Sequence, residues 1–295
     1  MNKVNALLEC SNLTKNYGKS QAVHNLDIKL EEDTIYGLLG RNGAGKTTLL
    51  NMITGGVFPS GGKIQIAGQL LKKGETPQDI CYIREKNLYL GNAKVIEILE
   101  HASAFHKNWD WSFANELIKT FRLNPQKKIR QLSRGMESLV GNIIGLASRA
   151  PLTIYDEPVL GLDVVMREKF YRVLVEDYAN HPRTILLSTH LIDEIAMVVE
   201  RVFIMDSGSI LLHDDVDNIR LKSHLLTGNK EAVEEFTKNR QVFYKESYGK
   251  GSLSALYDTI NETDRRQANK LDISIEGLPL QKFFSYVIEG GQPVE

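Results

Sequence analysis

The chain has 295 residues, with 36 lysines and arginines against 37 aspartates and glutamates and a formal net charge of -1. That length allows one to three domains with a sizeable core, and the balanced charge excludes the overall basic signature of a nucleic-acid binder. No apolar stretch approaches the roughly eighteen residues of a membrane span, and residues 1–9 lack the apolar core of a signal peptide. The 2 cysteines, Cys10 and Cys81, support no disulfide framework, so reduced thiols are expected. If the protein transports anything, the pore is on another polypeptide.

Residues 5–33 alternate apolar and polar as antiparallel strands do, most clearly over 7–10 and 24–30. The apolar run Ile35–Leu39 then leads into Gly-Arg-Asn-Gly-Ala-Gly-Lys-Thr at 40–47 and a helical-looking stretch over 48–53. This is a phosphate-binding loop between a strand and a helix. Its glycines let backbone N–H groups turn onto a triphosphate, and the helix points its positive end at the same anion. Gly40, Asn42, Gly43, Ala44, Gly45, Lys46, Thr47 and Thr48 are therefore the candidate nucleotide contacts, with Lys46 reaching the β- and γ-phosphates and Thr47 ligating Mg²⁺. The loop alone does not separate kinases, GTPases and ATPases.

Residues 63–68 continue the small antiparallel sheet, and residues 80–86 read as a further strand. Helical periodicity follows over 93–106 and 111–121, and again over 137–149, where Ser133 is a plausible N-cap. The run Leu152–Asp156 is apolar enough for the inside of a parallel sheet and ends in Asp156 and Glu157. Ligand chemistry collects at such strand ends, so Asp156 is expected to hold Mg²⁺ through its water shell and Glu157 to polarise the attacking water. A strand over 184–188 precedes His190 and a helix over 191–199, and residues 202–211 read as a hairpin with an Asp-Ser-Gly turn. The remaining residues alternate strands (223–227, 241–246, 253–257, 271–275) with helices (230–237, 278–288), which predicts a small α+β appendage.

Leu132-Ser133-Arg134-Gly135-Met136 resembles the Leu-Ser-Gly-Gly-Gln signature of ABC ATPases, and it stands, as in that family, one helix before the Asp-Glu strand. The resemblance covers about residues 5–220, and no Asn-Lys-x-Asp motif of GTPases accompanies it. It implies an α/β P-loop NTPase fold of ABC type, with a parallel core sheet, an antiparallel β subdomain and a helical subdomain at about 88–150. The expected domains are 1–220 for the ATPase and 221–295 for the appendage, which would be a packing or dimerisation module or a ligand sensor. The resemblance further implies that Tyr17 stacks on adenine, although a tyrosine covering a sheet edge is the alternative. Gly161-Leu162-Asp163 becomes the D-loop. His190 becomes the switch histidine that contacts the γ-phosphate and orients water and Glu157, where the plainer alternative is a strand end that caps a helix. Lys46, Glu157 and His190 form the implied catalytic set, with ATP and Mg²⁺ as cofactors.

Two departures from the family pattern stand out. Arg134 and Met136 replace Gly and Gln, while Ser133 and Gly135, implied to touch the γ-phosphate of the opposite subunit, are retained; the alternative is a weakened half-site completed by a different ATPase. Glu85 occupies the position of the Q-loop glutamine, where a carboxylate can still ligate Mg²⁺. Residues 105–110 also resemble a Tyr-Pro-Asn-Trp-Asp stretch of a Gram-positive group that includes phenol-soluble-modulin and bacitracin-type peptide exporters. Trp109 and Trp111 belong either to a permease groove or to packing within the helical subdomain.

The implied function is an ATP-hydrolysing subunit of a membrane exporter for amphipathic peptides or antimicrobial compounds. Its partners are a separate transmembrane permease subunit and a second copy or homologous ATPase, with no nucleic acid, and its place is peripheral at the cytoplasmic face of the cell membrane. The alternative is a soluble ABC ATPase acting in translation or as a regulatory nucleotide-binding protein.

Overall fold

A computed structural model describes residues 6–86 and 89–290. Residues 1–5, and with them the start of the stretch read for a signal peptide, lie outside the described residues, as do residues 87, 88 and 291–295. The chain forms two compact units, residues 1–190 with 207–209, and residues 191–206 with 210–295.

The first unit opens with β1 (Ala6–Tyr17) and β2 (Ser20–Glu31), which pair antiparallel with Leu8 opposite Leu30, Cys10 opposite Ile28 and Leu13 opposite Leu26. All six are buried, so the predicted alternation puts one apolar face inward. Then come β3 (Ile35–Leu39), α1 (Lys46–Ile53), β4 (Gly61–Ile66), β5 (Gln69–Leu70) and β6 (Ile80–Ile83). The first sheet has the order β2-β1-β4-β5. After α2 (Val95–Ser103), α3 (Trp111–Thr120) and a 3-10 turn at Ile129–Gln131 follow α4 (Arg134–Ala147), β7 (Leu152–Asp156), α5 (Val164–Asn180) and β8 (Thr184–Thr189).

Strands β3, β8, β7 and β6 lie side by side in that order and run parallel. Every residue of β3, β7 and β8 is buried, which is why each reads as a mainly apolar run. Their carboxyl ends lie on one side, so the loop after β3, the carboxylates after β7 and His190 after β8 are brought together by topology. Cys81 on β6 and Cys10 on β1 are buried free thiols.

In the helical segment, Asp110 caps α3 by accepting from Phe113 N at 2.9 Å, and its other oxygen takes Arg149 Nη2 at 3.1 Å. Arg149 is also bonded to buried Asp177, which pairs with Arg183 at 2.8 Å. Trp109 and Trp111 pack edge to face with centroids 5.5 Å apart, and the His106 ring stacks on Trp109 at 6.4 Å. The two tryptophans thus pack on each other within the subdomain.

The second unit contains α6 (Ile192–Ile195), β9 (Arg201–Asp206), β10 (Ser209–Asp215), α7 (Val216–Lys222), β11 (Ser223–Asn229), α8 (Lys230–Thr237), β12 (Val242–Tyr248), β13 (Gly251–Tyr257), α9 (Glu262–Lys270), β14 (Ser274–Gly277) and α10 (Leu280–Gly290). Strands β11 to β14 form an antiparallel sheet in the order β12-β13-β11-β14. With α8 between the first two strands and α9 between the last two, this is a βαββαβ unit of ferredoxin-like topology. Leu226, Val233, Phe236, Leu256, Ala268 and Ile273 form its core. Phe283 of α10 packs its ring against Phe243 at 5.1 Å and Tyr257 at 5.4 Å.

Several elements differ from the sequence expectation. The helix after His190 spans Ile192–Ile195 rather than 191–199, and Leu191, not His190, is its N-cap. Helix α4 starts at Arg134 because Ser133 caps it, three residues before the apolar period is visible. Helices α5, α7 and α9 are additional to the elements expected from sequence, and the last strand lies at Ser274–Gly277 rather than 271–275 because α9 runs to Lys270. The boundary expected between 220 and 221 falls inside the second unit, two residues before the βαββαβ segment opens at Ser223.

Candidate active site

Between β3 and α1 the backbone takes left-handed turns at Gly43 (φ 86°) and Gly45 (φ 106°), conformations that favour glycine. They lead the chain directly into the first turn of α1. Lys46 is almost fully buried, and its Nζ donates to Gly40 O at 2.7 Å and Arg41 O at 3.3 Å. Burial holds its pKa below the ordinary lysine value, opposed by the charges of Glu157 and Asp156. A cationic head that rests on loop carbonyls is ready to exchange them for phosphate oxygens.

Thr47 Oγ1 donates to Asp156 Oδ2 at 2.9 Å, and Ser188 Oγ donates to Asp156 Oδ1 at 3.0 Å. Tyr82 OH reaches the same Oδ2 at 3.4 Å. Burial lifts the Asp156 carboxyl above the usual carboxylate range, while the bonds from Thr47 and Ser188 pull the other way. Glu157 sits at φ 52°, a strained backbone for glutamate, and its N–H donates to Ser188 O at 2.8 Å. Its carboxylate accepts from Thr189 Oγ1 at 2.9 Å, and the other oxygen lies 2.8 Å from His190 Nδ1.

A cavity of about 340 Å³ joins these parts, lined by residues 41–48 together with Ala22, Glu85, Asp156 and Glu157. The geometry unites Lys46, Thr47, Asp156 and Glu157, with His190 behind Glu157. Tyr17 is not on the lining; it ends β1 half-exposed, with Lys15 Nζ 5.0 Å from its ring centre. Ser133, Gly135 and Asp163 form a separate cluster. Ser133 Oγ accepts from Met136 N at 3.3 Å, Asp163 Oδ1 accepts from Met166 N at 2.9 Å, and Gly135 lies so close to Gly161 O that a Cβ there would collide with it. Glu85 turns its carboxylate to Arg134 at 2.9 Å.

The family profile described as ABC transporter matches residues 23–160, the span from β2 through the loop, the Ser133 helix and the Asp156–Glu157 strand. The chain carries an ABC transporter ATP-binding domain. The ABC transporter ATP-binding protein YtrB of Bacillus subtilis (strain 168) is 28% identical over 215 residues, 72% of this chain and 74% of that one. The bacitracin transport ATP-binding protein BcrA of Bacillus licheniformis is 29% identical over 75% of this chain and 73% of its own. The lantibiotic transport ATP-binding protein SrtF of Streptococcus pyogenes is 27% identical over 81% of this chain and 99% of its own. Among solved structures, an ATP-binding subunit of an ABC transporter matches with TM-score 0.65 at 26% identity, covering 72% of this chain and 92% of that one. The fold is also that of cbiO1 from Clostridium perfringens, with TM-score 0.63 at 21% identity over 80% of this chain and 96% of that one. The protein is accordingly an ATP-binding, ATP-hydrolysing subunit of an ABC transporter, and the reading as a translation factor or regulator has no support.

Sequence reasoning missed Tyr82, Ser188 and Thr189, which hold the two carboxylates. Each lies on a strand beside the site, where a hydroxyl in an apolar run was the available signal.

Proposed function

We propose that this ATPase energises export of amphipathic peptides or antimicrobial compounds through a separate transmembrane permease, working as a dimer at the cytoplasmic face of the membrane. The reading of cargo rests on the similarity to bacitracin and lantibiotic transport proteins. No helix among the described residues is long and apolar enough to cross a membrane, which fits a pore on another chain. Residues 1–220 would form the cassette and 221–295 an accessory module.

The observation that carries the catalytic assignment is the Glu157 carboxylate, fixed between Thr189 and His190 beside the loop that holds Lys46. Glu157 takes the proton of the attacking water, His190 orients that carboxylate, and Lys46 moves from the carbonyls of Gly40 and Arg41 to the phosphate chain. Thr47 and Asp156 offer the hard oxygen pair suited to Mg²⁺, and among the described residues no cluster of three or more His, Cys, Asp or Glu could hold a metal ion alone. Mg²⁺ takes one or two protein ligands beside phosphates and waters, and would neutralise developing charge there. Glu85, expected from sequence as a further oxygen ligand, is engaged by Arg134 at the rim instead. Tyr17 would stack on adenine, and Ser133, Gly135 and Asp163 would meet the nucleotide of the opposite subunit.

The test is ATPase activity of the chain co-expressed with its permease in membrane vesicles. Stimulation by cationic amphipathic peptides, abolished by Lys46→Ala, is expected. Turnover unmoved by any such peptide would remove the cargo assignment and leave the ATPase.

A further inference from the structure

The lining of the nucleotide cavity carries three carboxylates, Glu85, Asp156 and Glu157, against the cations of Arg41 and Lys46. A phosphate chain adds more negative charge to the same space. Asp156 and Glu157 are each anchored by hydroxyls on β8, but Glu85 has a different partner. Its Oε1 accepts from Arg134 Nη2 at 2.9 Å, across 49 positions of sequence. Arg134 is the first residue of α4, directly after the capping Ser133. Its stem passes over the loop after β7, where a Cβ on Gly161 would sit 3.4 Å from Arg134 Cγ. The side chain therefore runs from the helix start past Gly161 to the cavity rim.

We propose that Arg134 is a positioning residue for the nucleotide cavity: its guanidinium holds the Glu85 carboxylate at the rim and neutralises it, so that a third acidic side chain does not repel the incoming phosphates. The two positions form a matched pair, one answering the charge of the other. The proposal rests on the cavity being the ATP site. The side chains of Arg134 and Glu85 are 58% and 39% exposed, so solvent screens the pair and the effect is modest.

The experiment is calorimetric titration of the full chain with a non-hydrolysable ATP analogue and Mg²⁺. Arg134→Gln should weaken binding by about two- to fivefold, the span expected of a solvent-exposed ion pair. Glu85→Gln alone should bind at least as tightly as the parent, and the double variant should regain parent affinity. In about 1 M salt, where the screening length falls to roughly 3 Å, the Arg134→Gln defect should shrink. A purely structural role for Arg134 would not be rescued by changing Glu85. An equal loss for Arg134→Gln in the presence and absence of Glu85, or no loss at all, overturns the pairing. Parent-like binding by Lys46→Ala would instead overturn the cavity as the nucleotide site.

Discussion

At the scale of residues, the site works by holding charges in an environment that opposes them. Replacing Glu157 with Gln should leave ATP bound but slow hydrolysis by about 10² to 10⁴, the usual loss on removing a positioned base. Single-turnover measurement of phosphate release checks this, and near-normal turnover would take the role from Glu157. Asp156 offers a second measurement. Its folded pKa is raised, so its contribution favours the fold at low pH and is lost as pH climbs through that raised value. At neutral pH the ionised carboxylate is thus a cost, and Asp156→Asn should raise the melting temperature of the nucleotide-free protein. The same variant should lose the extra stabilisation given by Mg·ATP. Thermal scans with and without Mg·ATP decide the matter, and a lower midpoint without nucleotide would contradict the argument.

At the scale of elements, the structure depends on caps and close packing that its helices share. Asp110 begins α3, and the bond from Phe113 N, followed by the bond to Arg149, holds its carboxyl below the usual carboxylate range. Stability from that group is present above the ordinary value and lost as pH falls through the lowered one. Asp110→Ala should cost about 1 to 2 kcal/mol in urea unfolding at neutral pH, with the difference from the parent fading in acid. Gly145 of α4 is a packing constraint of another kind, since a Cβ there would lie 2.5 Å from the buried hydroxyl of Tyr155 on β7. Gly145→Ala should therefore destabilise by about 1 to 3 kcal/mol despite the better helix propensity of alanine.

These same elements show what the sequence made legible. β3, β7 and β8 are visible because burial on both faces writes a mainly apolar run. The phosphate loop is visible because its glycines and lysine serve backbone geometry and charge at fixed spacing. Helix α9 is not visible by periodicity, because it buries only Ala268; its start is instead fixed by the reciprocal bonds of Asn261 and Asp264. The contacts of Glu85 with Arg134 and of Tyr82 with Asp156 join residues far apart in sequence, which local pattern cannot reveal.

At the scale of the whole molecule, the proposed dimer can be tested without disturbing the monomer. Gly135 is a poor place for this, because any side chain there strikes Gly161 of the same subunit. Ser133 is better, since aspartate caps a helix about as well as serine. Ser133→Asp should keep the monomer's melting temperature and yet prevent ATP-driven dimerisation of the Glu157→Gln protein, because the new carboxylate would face the partner's phosphates. Light scattering with and without ATP reads the outcome; an intact dimer would refute the trans contact. A different consequence follows from the chain's two thiols. Cys10 and Cys81 are buried on separate strands, and burial pushes both pKa values up to about 12. Neither readily presents a thiolate to peroxide or to a maleimide, so neither thiol offers a site for oxidation or labelling. A single cysteine introduced at exposed Leu221 would then be the one reactive handle, ready for a fluorophore that follows the appendage through the ATP cycle.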